Sequence, residues 1–493
     1  MNREERLVAE YRRHYVFIIL SLLITIVFFL PSCTTKSALR VDKLASSTLN
    51  NDFNAAISTI KKKPQMYGNN SRFLYYMDIG VLYHFAEEYD SSTVYLLKAS
   101  DIFNELFARS ITNEAAAIMV NDNVRPYRSK PYELVMLHQI LALNFLTVGK
   151  LEDALVETRK VQLFFDEWKR KNRSESKYDS DAMFHYLSSI AYDAANETSD
   201  AMISLFHAVK TFQDGPVPLP ASIGDQAYYL FELNDRNDDN SLLGLSPKVP
   251  RNQITGIENN SSEIIVIGYA GRGPVFEEES WWGTWVKDGV LVVHHNAPDG
   301  SKQTITMPAP GLPPAELRKA EKGHSTKSGT TFHIKFALPA IRTVPSSTKG
   351  FSVTCSGFSR PFESVVINDL DKQAEKYMED ARSRILARTV VRVVLRTIAA
   401  QKAKEQLQTG NTATNLLLNI GTDILAGQLE KADTRSCFLL PKTVQMARIP
   451  VPPGKYSISV NAKSASGVLT TKTFNDLSIA AHEKKFLFIS SFK

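Results

Sequence analysis

The sequence predicts an α+β multidomain protein: an all-helical N-terminal half, then a β-rich C-terminal part interrupted by one long helix. Three observations carry this expectation. From about 50 to 212 apolar residues recur at intervals of three and four with few prolines, the period of amphipathic helices. Beyond 263 the period changes to two, as strands require. From Asn368 to about Gln408 the helical period returns. A chain of 493 residues, 43% apolar and 22% charged, is ordinary globular material, so a disordered chain, a collagen-like fibre and a small disulfide scaffold are excluded. With 58 Lys and Arg against 52 Asp and Glu, the net charge of +6 is too thinly spread to argue for a nucleic-acid groove. Only three cysteines occur, at 33, 355 and 437, which leaves no CxxC pair for a zinc module.

The chain opens with Arg3, Arg6, Arg12 and Arg13, followed by an apolar run from Tyr15 to Leu30 and then Pro31-Ser32-Cys33. Positive charge before an apolar run shorter than the roughly 20 residues a spanning helix needs fits a secretory signal. Leu30 three residues before Cys33, with small Ser32 beside it, resembles the bacterial lipobox, whose cysteine is acylated before the signal is removed. The resemblance implies a signal over 1–32, lipid attachment at Cys33 and a tether over 33–49; a plain signal anchor is the alternative. Thr34 after the cysteine, by likeness to enteric lipoproteins, favours the outer membrane, facing the periplasm. In that oxidising compartment Cys355 and Cys437 form a disulfide or remain two buried thiols.

The helical region, expected over 50–235, repeats more than its period. Gly80, Tyr83, Ser92, Leu96 and Ala99 recur as Ala142, Phe145, Ala154, Thr158 and Val161, and again as Ser189, Tyr192, Ala201, Leu205 and Ala208. In each block the small residue of the first helix precedes that of the second by twelve. This spacing resembles the tetratricopeptide repeat, although the blocks start farther apart than the roughly 34 residues of a regular array. The resemblance implies a helical layer with a concave face that binds protein partners.

Between the first two blocks lies Asn121-Asp122-Asn123-Val124-Arg125-Pro126-Tyr127, followed by Pro131-Tyr132-Glu133. Short polar side chains that bond their own backbone, a helix-breaking proline and a tyrosine anchor suit an ordered loop or a partner-binding one, with Asn121, Asp122, Asn123, Arg125, Pro126, Tyr127 and Tyr132 as candidates. Together with "LEDALVETRKV", this segment resembles an uncharacterised family of bacterial lipoproteins with tetratricopeptide-like N-terminal halves.

A polar stretch over 236–262 reads as a linker. Period-two segments then define a β-rich domain over 263–367, and "MARIPVPPGKYSISVNA" with "KKFLFISSF" a separate C-terminal β module over 431–493. Between them, 368–430 holds the long helix and further helical material. In that helix Arg384, Arg388, Arg392 and Arg396 recur every four residues, forming a slowly drifting stripe. The stripe is either a solvated or ion-paired face, or a surface for anionic lipid heads or an acidic partner.

Catalytic spacing is not recognisable. Gly268-Tyr269-Ala270-Gly271-Arg272-Gly273 is not GxGxxG and reads as a turn with close backbone approach. His294 and His295 are neighbours on a strand and point to opposite faces, and no HExxH or Gly-x-Ser-x-Gly occurs. No cofactor or metal is expected. Glu277, Glu278 and Glu279 before Trp281, Trp282 and Trp285 suit a charged loop before buried tryptophans, or a glycan cleft. The expected function is a non-catalytic protein-interaction scaffold held in the bacterial cell envelope by its lipid, bound to an envelope protein. The alternative is a cell-wall glycan binder or hydrolase working through the β-rich half.

Overall fold

The computed structural model describes residues 44–109, 122–171, 180–251, 254, 261–286, 290–297, 300–308, 331–407 and 431–493. Cys33 and Asn121 lie outside them. The fold is α+β, helices first and strands after, as expected.

The helical half runs α1 (Phe53–Lys62), α2 (Arg72–Phe85), α3 (Tyr89–Arg109), α4 (Pro131–Thr147), α5 (Leu151–Lys171), α6 (Ala182–Ala194), α7 (Thr198–Asp214), α8 (Ala221–Leu233) and α9 (Asn237–Leu242). From α2 onward the helices pair as hairpins, and all four hairpins turn the same way. Glu87, Gly149, Asn196 and Asp235 each take a positive φ, between 56° and 76°. The next amide then donates to the carbonyl of an aromatic residue five positions back: Glu88 to Tyr83, Lys150 to Phe145, Glu197 to Tyr192 and Arg236 to Phe231. This bond closes the C-terminus of each first helix and sets the direction of the second. The small residues act inside the hairpin. A Cβ on Gly80 would sit 2.6 Å from Leu96 Cγ, and Ser92 Oγ donates to Gly80 O at 2.7 Å. The fourth hairpin, α8–α9, carries the layer into what the sequence suggests is a linker. Residues 44–49, expected as tether, also form a helical turn, with Leu44 fully buried.

Strands β1 (Glu263–Arg272), β2 (Val275–Val286), β3 (Val290–Asn296), β4 (Lys302–Pro308), β5 (Thr331–Arg342), β6 (Gly350–Cys355), β7 (Phe362–Glu363) and β8 (Val365–Asp369) precede α10 (Leu370–Leu407). Strands β9 (Pro441–Pro450), β10 (Gly454–Ser464), β11 (Gly467–Ile479) and β12 (Lys484–Ser491) follow it. They form three sheets, ordered β12-β1-β9-β8, β11-β10-β6-β7 and β4-β3-β2-β5.

The expected division into a domain over 263–367 and a separate module over 431–493 does not hold. Strand β1 is apolar on both faces, and it is flanked by β12 in parallel and β9 antiparallel. Both neighbours come from the C-terminal segment, so one sandwich is built from both stretches. Ile264, Val266 and Ala270 point to the second sheet, while Ile265, Ile267 and Tyr269 point to the helices. The glycine run is therefore mostly strand, not a turn. Close approach is real, however: a Cβ on Gly268 would lie 2.2 Å from the ring of Phe351, which fills the space between the sheets.

The helical layer and the first sheet share one core. At the joint, fully buried His84 places Nδ1 2.6 Å from Asn144 Oδ1 and Nε2 2.7 Å from the Tyr269 hydroxyl. Desolvation pushes the His84 pKa down to about 4, against a smaller opposing effect of Asn144. A second polar joint lies at one end of the strands. Arg448 donates to both oxygens of buried Glu263 at 2.7 Å and to Tyr186, and Lys484 reaches Asp193 at 2.8 Å. Burial pushes the Glu263 carboxyl up, but Arg448 and Lys484 outweigh it and hold the group below the usual carboxylate range.

Candidate functional site

The two segments singled out in the sequence, loop 121–132 and the arginine stripe, meet. Arg392 is only 1% exposed and donates to Asp122 Oδ2 at 2.9 Å, tying α10 to the loop between the first two hairpins. The stripe is thus not one solvated face. Arg384 and Arg388 are exposed, Arg396 is half-buried and Arg392 is internal. The drift of a four-residue repeat explains this, because each step adds about 40° and carries the later arginines round from solvent toward the protein.

The loop is held from inside. Tyr127 and Tyr132 are buried, and Tyr127 donates its hydroxyl to Glu133, which also accepts from the Lys130 amide at 2.8 Å and the Cys437 amide at 2.9 Å. Burial, then the Glu133 charge, pushes the Tyr127 hydroxyl well above its ordinary value. Arg435 donates to the carbonyls of Asn70, Asp122 and Arg125 and pairs with Asp433 at 2.7 Å, while Asn123 donates to Ala432 O at 3.0 Å. Arg125 pairs with Asp122 at 3.4 Å, and Pro126 is exposed. The segment 431–437 therefore locks the loop in place. Arg435 carries no sequence signal for this role, since the carbonyls of Asn70, Asp122 and Arg125 that it holds lie hundreds of positions earlier.

Above this lock lies a cleft of about 640 Å³, within the range of ligand sites. One wall is aromatic: Phe103 and Phe107 of α3 stack at 5.2 Å, and Phe164 of α5 packs on Phe103 at 6.0 Å and on Trp168 at 5.7 Å. Successive turns of α10 supply the facing wall through Met378, Ala381 and Ile385, with Arg384 and Arg388 beside them. Seven cationic side chains and two carboxylates line the cleft. Arg384 and Arg388 make no hydrogen bond or ion pair among the described residues, whereas Lys130 lies 4.4 Å over the Phe276 ring and donates to Tyr127. The aromatic wall had one sequence signal, Phe-x-x-x-Phe and Phe-x-x-x-Trp in successive second helices, a spacing that a buried core also produces.

One face of the helical layer is occupied by the protein's own sheet. The first helices of the hairpins lean on the β12-β1-β9-β8 sheet, with Phe85 of α2 5.0 Å from Tyr269. The second helices look outward. There Val94, Val156 and Ile203 are 51%, 42% and 42% exposed, each two positions after the small residue of its own helix.

In the third sheet, packed under α10, Trp281 is fully buried and stacked on His295 at 5.1 Å, while Trp282 is 41% exposed. The two histidines take opposite faces as expected, His295 buried and His294 toward Thr304. Cys355 and Cys437 are both buried and are not joined to each other, so the disulfide option is set aside. Cys355 belongs to the core between two sheets and Cys437 to the core beneath the helices. Among the described residues no group of His, Cys, Asp and Glu is arranged to hold a metal, and no helix is long and apolar enough to cross a membrane. No family model, curated protein or solved structure matches the chain.

Proposed function

We propose that the protein is a non-catalytic scaffold of the bacterial cell envelope, tethered by lipid at Cys33 and facing the periplasm at the outer membrane. Its helical layer is read as a tetratricopeptide-like array that holds an envelope protein by its outer face. One observation carries the reading: Val94, Val156 and Ile203 expose apolar side chains at the same position of three successive second helices. Single exposed apolar residues need no explanation, but recurrence at one repeat position makes a common surface. The recurring hairpin turns support the repeat, and the likeness of loop 121–132 to a lipoprotein family supports the tether. A photo-crosslinker at Val94 in cells is expected to trap one discrete protein, and Val156→Arg with Ile203→Arg to abolish the product. An unchanged product in the double variant removes the outer face from the proposal.

A second reading, a glycan binder or hydrolase, rests on Trp282, whose ring is the exposed member of the Trp281-Trp282 pair. Cosedimentation with purified cell-wall glycan tests it, with Trp282→Ala as the control.

A further inference from the structure

We propose that the cleft between α3, α5 and α10 binds a single-chain amphiphilic anion: an acyl chain along the aromatic wall, with its phosphate or carboxylate head at Arg384 and Arg388. The site is distinct from the outer helical face, and the inference does not depend on that reading.

The two ends of the cleft ask for different chemistry. Phe103, Phe107 and Trp168 are half-buried, so each leaves part of a ring open to the space. Covering that surface with an apolar chain removes it from water, which is favourable in proportion to the area covered. The facing helix offers apolar Met378, Ala381 and Ile385, flanked by the hydroxyls of Tyr377 and Thr389. At the head end, most cations are already engaged: Arg435 with Asp433 and three carbonyls, Arg125 with Asp122, Lys130 with Tyr127. Arg384 and Arg388 are one turn apart on α10, border the cleft and have no such acceptor among the described residues. Two exposed guanidinium groups hold a bare anion weakly, since exposed ion pairs compete with water and are screened by salt. The apolar chain must therefore supply most of the affinity, and the arginines select the head. A doubly apolar ligand would leave the charge excess unused; a bare anion would leave the aromatic wall wet.

Trp168 provides the readout. The full chain in neutral detergent is titrated with a dibrominated stearoyl chain carrying a carboxylate, a glycerol-phosphate or an uncharged glycerol head, and with inorganic phosphate. Bromine quenches tryptophan on contact. Both acidic probes are expected to quench, and Trp168→Phe to remove most of that quenching. Arg384→Glu with Arg388→Glu is expected to weaken both acidic probes at least tenfold and leave the uncharged probe unchanged. Because both arginines are exposed, the fold survives the change, which circular dichroism verifies. The tighter of the two acidic heads assigns the ligand to phospholipid or to free fatty acid, and either sustains the proposal. Equal quenching by the uncharged probe, no response to the double variant, or no loss with Trp168→Phe overturns it. Phosphate that displaces the acidic probes at their own concentration also overturns it.

Discussion

Acidification should loosen the joint between helices and sheet at one residue, His84. In the neutral ring, Nδ1 donates to Asn144 Oδ1 and Nε2 accepts from the Tyr269 hydroxyl, so every polar atom of a fully buried group is satisfied. Protonation places a positive charge on a fully buried ring and obliges the Tyr269 hydroxyl to turn and accept from Nε2. The folded pKa is about 4 against an ordinary 6.5, so the folded state resists a proton that the unfolded chain accepts. Stability from this group is fully present above pH 6.5 and is lost as pH falls through 6.5 toward 4. The linkage costs about 2 kcal/mol at pH 5 and about 3 kcal/mol below pH 4. Buried His185, pushed down to about 3 by desolvation and by His207, adds a loss of the same sign. Comparison with His84→Gln isolates the one group. Urea unfolding of both proteins between pH 7 and 4.5 should show a steeper decline for the wild type, by nearly one proton. Imidazole nitrogen shifts of His84 should stay flat until below pH 5. Parallel declines, or a His84 titration near 6.5, would refute the neutral, doubly bonded ring.

The remaining predictions concern packing and charge. Gly268→Ala drives a methyl into Phe351 and should destabilise by about 1–3 kcal/mol in urea unfolding, and adding Phe351→Leu should recover part of the loss. A fully additive double variant would contradict the contact. Asp122→Asn, which takes the carboxylate from buried Arg392, should cost about 1–3 kcal/mol and more than Arg392→Met, whose loss leaves Asp122 30% exposed to water. The reverse order would show that the pair does not tie loop to helix. Cys355 and Cys437 should both resist iodoacetamide in the folded protein and both react after unfolding without reductant. A peptide pair joined by sulfur in mass mapping would restore the disulfide.

What the sequence conveyed and what it concealed divide along range. Periodicity placed the helical half and the strands, and the twelve-residue spacing of Gly80 and Ser92 found a real close contact, because both are local consequences of one hairpin. The sandwich was misdivided, since strand pairing between β1 and β12 or β9 joins residues at least 169 positions apart and leaves no local mark. The site was half legible. Loop 121–132 and the arginines stood out by composition, but their meeting through Asp122 and Arg392 spans 270 positions. Segment 431–437, which locks them, was expected only as the start of the C-terminal β module over 431–493. The likeness to repeat proteins gave no hint that the first helices cover the protein's own sheet, whose core-facing Ile265, Ile267 and Tyr269 need a cover.

The tether is the claim on which the envelope scaffold stands. Intact-mass measurement of the protein extracted with detergent from membranes of its native host tests it most directly. The mass should equal the chain from Cys33 to Lys493 plus a diacylglycerol and one further acyl chain, and Cys33→Ala should abolish the shift. A chain that retains residues 1–32, or one that begins near Cys33 without lipid, would contradict it.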